Sequence, residues 1–136
     1  MRTLAAVAVL SLSCSSADDA EQMPSCIDLP PDCSPLYTPT FDELFTRTLM
    51  PTCGQGGGSC HGPDGQQGGL VFASADEAFA LLTGADARVV PGNPACSEIV
   101  VRTHQTGKPW SMPPGNPLIE AERCVIGKWV EMGALR

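Results

Sequence analysis

Apolar residues recur along this chain at helical spacing, and nowhere do they alternate over a length that would suggest a strand. Phe41, Leu44, Phe45 and Leu49 form the first series. Thr40 and Glu43 stand ahead of it in T-x-x-E capping-box spacing, and Pro51 is expected to end the helix. Ser74 and Glu77 repeat the capping device before Phe79, Leu81 and Leu82, with Gly84 suited to the C-terminal cap. After Val89-Val90-Pro91-Gly92, the pair Asn93-Pro94 reads as a turn that puts Pro94 at the first position of a third helix reaching about Arg102. Residues 103–117 read as an irregular loop. Val125, Ile126, Trp129 and Val130 make an apolar stripe on a last helix over about residues 118–132, which Gly133 terminates. The pattern predicts a mainly α domain over residues 40–136, with about four short helices and long Gly/Pro-rich loops.

Upstream of that domain the pattern changes twice. Arg2 precedes an apolar run over residues 4–12, and small residues follow, which is the layout of a signal peptide over residues 1–17. The run is far short of the roughly 20 apolar residues a membrane-spanning helix needs. Ser13-Cys14 resembles a bacterial lipobox, in which Cys14 is lipidated and becomes the mature N-terminus. Ser15-Ser16-Ala17 before Asp18 is the alternative cleavage site. Either route exports the chain, to the periplasm or to the envelope surface, where its only hold on a membrane is a lipid at Cys14. Residues 18–39 are acidic and proline-rich with no periodic apolar pattern, and read as a tether.

Composition sharpens this picture. The 14 glycines and 13 prolines in 136 residues describe a small loop-rich domain with limited apolar filling. A net charge of −7, made more negative by loss of Arg2, argues against a nucleic-acid partner. Of the seven cysteines, processing removes Cys14 from the disulfide pool and leaves an even set in an oxidising compartment. Cys26 and Cys33 are expected to close a small loop within the tether. Cys96 and Cys124 are expected to staple the C-terminal half. No nucleophile elbow, zinc-protease helix, phosphate-binding loop or thioredoxin-like C-x-x-C is present, so no catalytic reading arises. Zinc at Cys53, Cys60 and His61 would lack the paired short spacings of structural zinc sites.

The candidate chemistry lies in Ser59-Cys60-His61-Gly62. In C-x-x-C-H two thiols bond the haem vinyls and the following histidine turns its imidazole onto the iron. Here Gly57 occupies the first thiol's place, and the nearest upstream thiol is Cys53, across the run Gly54-Gln55-Gly56-Gly57-Gly58-Ser59. Three readings follow. Haem is held by one thioether from Cys60; or Cys53 and Cys60 both react while the glycine run bulges outward; or Cys53 and Cys60 form a disulfide and no haem binds.

In the order of its elements the chain resembles a small bacterial cytochrome c domain over about residues 40–135. A first helix with Phe45 is followed by Cys60-His61-Gly62, Gly68-Gly69-Leu70, Val89-Val90-Pro91-Gly92, Met112-Pro113-Pro114 and a final helix with Trp129. The resemblance implies that the first and last helices cross, that His61 is the proximal ligand and that Met112 is the distal one. Histidine and thioether close a six-coordinate iron suited to passing electrons to a redox partner. His104 is a rival ligand on the same loop, and Trp110 reads as packing. The function expected is that of a haem c-binding electron carrier, not an enzyme. The alternative is a haemless, disulfide-stabilised module of the same fold.

Overall fold

The computed structural model describes residues 21–55 and 60–136, so the signal segment with Cys14 and the glycines around Gly57 lie outside it. Four α-helices, with no strand among the described residues, make the fold mainly α.

The first helix, α1, spans Phe41–Leu44, and the Thr40 hydroxyl accepts from the Glu43 N–H at 3.5 Å as the capping pattern requires. Pro51 does not end it. The chain continues as a π-helical stretch, Phe45–Gly54, with Pro51 inside. A proline clashes with the carbonyl four residues back only in the α register, and the wider π turn changes that register. Packing supplies the reason to stay coiled: Phe45 and Leu49 are buried, and Cys53, on the same seam, packs against the core.

Helix α2, Ala75–Thr83, is capped by the Ser74 hydroxyl and carries Ala78 and Leu82 into the core. The predicted third helix is divided. Pro94–Cys96 forms a 3-10 turn capped by the Asn93 side chain, and α3 begins afresh at Glu98 and runs to His104. Buried Ser97 causes the break, because its hydroxyl donates to the Asn93 carbonyl at 2.9 Å and accepts from the Val90 N–H at 2.8 Å. Helix α4, Glu120–Glu131, is the predicted last helix.

Helices α1 and α4 meet at the centre of the core, where the rings of Phe41 and Trp129 lie 5.3 Å apart and Phe79 packs edge-on against Phe41 at 5.0 Å. Leu44, Leu82, Val100, Val125, Ile126 and Val130 fill the space around them. The Trp129 indole donates to the Leu135 carbonyl at 2.8 Å, which folds the C-terminus back. There Arg136 pairs with Asp42 and Asp76 and lies over the Phe41 and Phe79 rings.

The expected tether is instead a strap from Cys26 onward. Cys26 is bonded to Cys96 and Cys33 to Cys124, so the expected pairs Cys26–Cys33 and Cys96–Cys124 do not form. The physical reason is that the strap has apolar residues to bury. Ile27, Leu29 and Tyr37 pack on the core, and the N–H groups of Ile27 and Leu36 donate to the carbonyls of Ala95 and Ala121 at 2.9 and 3.1 Å. This course carries each strap cysteine past a cysteine of the domain. Tyr37 also hydrogen-bonds Thr48, whose hydroxyl donates to Glu122 of α4 at 3.4 Å.

Non-reducing digestion at aspartates 28 and 32 and after Arg102 is expected to leave Cys26 linked to the Cys96 fragment and Cys33 to the Cys124 fragment. A linked Cys26–Cys33 fragment would contradict the fold. Replacing Cys33 and Cys124 by serine, which opens a loop closed across 91 residues, is expected to cost about 4 kcal/mol in chemical denaturation.

Candidate functional site

Three short backbone contacts build the segment around His61. The His61 N–H donates to the Cys53 carbonyl at 3.1 Å, the Phe72 N–H donates to the His61 carbonyl at 2.7 Å, and the Gln67 N–H donates to the Cys60 carbonyl at 3.3 Å. The end of the π-helix, the Cys60-His61 dipeptide and the Leu70–Phe72 stretch are thereby drawn together. Glycine is needed where they touch. A Cβ on Gly65 would stand 2.1 Å from the Cys60 carbonyl oxygen, and one on Gly62 would stand 2.6 Å from the Gly54 carbonyl oxygen. These glycines serve close backbone approach, a use the bare sequence does not reveal.

The His61 ring rests against Phe72, with ring centres 5.3 Å apart. Its Nδ1 is buried and has no hydrogen-bond partner among the described residues. With Nδ1 turned inward, Nε2 is the ring nitrogen left to meet a group from outside the chain. The donor set of an imidazole beside a cysteine sulfur is that of a c-type haem attachment end, and the residues present fit the group.

Cys53 and Cys60 belong to neither disulfide, so the Cys53–Cys60 bridge of the third reading is not formed. The two thiols are close enough to interact electrostatically, which makes the seven-residue step between them a short one in space. Burial pushes the Cys53 thiol up to about 12, and the neighbouring Cys60 and Glu122 add to the effect. Cys53 is therefore a neutral, core-facing thiol. Its place could have been read from Phe45, Leu49 and Cys53, which recur at i, i+4 and i+8 on one helix face. Phe72 was also legible, as the end of the apolar run Leu70-Val71-Phe72.

Met112 sits on the loop after α3. Its N–H donates to the Arg102 carbonyl at 2.8 Å, and the loop is pinned by Trp110, whose indole donates to the Gln105 side chain at 2.9 Å. Met112 lines a cavity of about 310 Å³ with Thr103, Ser111 and Pro113, and His61 is not part of that lining. The structure thus builds the Cys53, Cys60 and His61 grouping, and Met112 stands on a separate loop beside its own cavity. His104 is committed elsewhere: its Nδ1 bonds the Val100 carbonyl at 3.0 Å, and burial holds its pKa below the usual histidine value. It lines a separate groove with none of the Cys53 to His61 residues.

Without a bound group, Cys53 is expected to resist thiol reagents below pH 9. The folded chain keeps the Cys53 proton up to about 12, whereas the unfolded chain releases it near 9.0. Stability is therefore expected to fall as pH rises through that window. Denaturation of the Cys53→Ala variant at the same pH values checks this, because the variant should lack that part of the slope.

Residues 58–116 match the family model described as Planctomycete cytochrome C. That span holds Cys60 and His61 near one end and Met112 near the other. No curated protein and no solved structure matches the chain. Among the described residues no helix is long and apolar enough to cross a membrane. With its helical fold and this match, the chain carries a cytochrome c-like domain.

Proposed function

We propose that the protein is an exported electron carrier of the bacterial envelope that holds one haem c through Cys60 and His61, with Met112 as the second axial ligand. The observation that carries the reading is the family match, which encloses Cys60-His61-Gly62 and Met112-Pro113-Pro114 in one span. The His61 ring, packed on Phe72 with Nδ1 turned inward and Nε2 left to bond, supports it from the side of the residue. Bound here, the haem would supply a one-electron redox couple, at a potential that an imidazole and thioether pair raises.

Of the two-thiol and one-thiol readings, the buried state of Cys53 favours the second. A thiol held near 12 is a weak nucleophile and fills a place in the core. Cys60 then makes the single thioether, Phe72 backs the His61 ring, and the bonds from Phe72 and to Cys53 fix the backbone of His61. Pro113 and Pro114 stiffen the loop that presents Met112. The signal-like segment and Cys14 support a carrier that works outside the cytoplasm, free in the periplasm or anchored by lipid.

Expression with a c-type maturation system tests this. The expected result is an intact mass raised by one haem and a reduced pyridine haemochrome band, both lost in Cys60→Ala and both kept in Cys53→Ala. Met112→Ala is expected to remove the weak sulfur-to-iron absorption band and leave the attached haem in place. Absence of any Soret band in the wild-type chain would overturn the proposal and leave the haemless module.

A further inference from the structure

The strap does more than cover the core. Between its two disulfides it arches over the end of α3 and one side of α4, and encloses a groove of about 950 Å³. That volume is within the range of small-molecule sites, roughly 300–1,000 Å³. One wall is apolar, formed by Ile27, Leu29, Pro30 and Pro31. The other is polar and includes His104, Glu120 and Arg123. No residue of this lining belongs to the Cys60 and His61 segment, and it meets the Met112 loop only at Gln105, so the groove is distinct from both.

Arg123 gives the groove its chemistry. One terminal nitrogen donates to the His104 carbonyl at 3.4 Å, a long bond, and the Nε is buried with no hydrogen-bond partner among the described residues. That Nε has no accessible surface and is not the point of contact, but the guanidinium lines the groove, and a carboxylate is the acceptor its planar fork fits best. The remaining charge limits what kind of carboxylate enters. Lys128 is taken up by Glu131 at 2.8 Å, which leaves the carboxylates of Asp28 and Glu120 facing the same groove as Arg123. A simple anion would gain at Arg123 and lose near these two groups. A molecule with a carboxylate at one end and an ammonium group at the other gains at both. The proline and aliphatic wall suits a small apolar side chain between them.

We infer that this groove binds a small zwitterion of the amino-acid or dipeptide class, with its carboxylate on Arg123, its ammonium group toward Asp28 and Glu120, and its side chain against the strap. The strap holds the site in shape through the Cys26–Cys96 and Cys33–Cys124 bonds.

Isothermal titration of the full processed chain with L-valine and with glycyl-L-valine tests this, with propionate and butylamine as single-charge controls. Saturable binding of at least one zwitterion is expected, with both controls weaker. Arg123→Gln is expected to weaken it by about tenfold or more, the loss of one charge-assisted hydrogen bond. Glu120→Gln, at the exposed start of α4, is expected to weaken the zwitterion and strengthen propionate, which keeps the test sound if the Arg123 variant folds poorly. Failure of both zwitterions to bind, propionate binding as tightly as valine, or affinity unchanged in Glu120→Gln would overturn the assignment. None of these outcomes depends on whether haem is attached at Cys60.

Discussion

The contact between Phe41 of α1 and Trp129 of α4 is the constraint on which the rest of the molecule depends. Both residues are buried completely or nearly so, and the largest side chains of the core surround them. This crossing sets the direction of the first helix, and the helix in turn carries Leu49 and Cys53 along one buried seam. Because the chain stays coiled through Pro51, Cys53 arrives with its carbonyl in reach of the His61 N–H. A packing event far from any cofactor chemistry therefore decides where the histidine's backbone is held.

A small loop-rich domain of this composition buries limited apolar surface and needs additional fastening. The strap provides it. Two disulfides closed over 70 and 91 residues constrain the unfolded chain far more than the short local loop that spacing suggested for Cys26 and Cys33. The Tyr37, Thr48 and Glu122 side chains add a polar link between strap, π-helix and α4. Fastening and site share parts, since Glu122 also contributes to holding the Cys53 thiol in its neutral form.

The helices were legible because their signals are local. Thr40 and Ser74 cap the helices they were expected to cap, and the Val125, Ile126, Trp129, Val130 stripe faces the core. What was not legible is non-local. Cysteine spacing says nothing of which chain segments pass each other, so both pairings were exchanged. The proline-rich composition of residues 26–37 hid three apolar residues that dock. At the site, Cys60 and His61 were legible as a motif fragment, whereas the need for Gly62 and Gly65 arises only when backbones approach within a few ångströms. Ser97 broke the third helix because its side chain found better partners than the helix offered.

The central claim is a histidine-anchored haem with one thioether, and the measurement closest to it locates the covalent bond. Tandem mass spectrometry of the fragment that carries both Cys53 and Cys60, taken from protein matured with haem, reads each sulfur separately. The account predicts a haem adduct on Cys60 and an unmodified thiol at Cys53. A fragment without haem, or one in which Cys53 and Cys60 are bonded to each other, would contradict it.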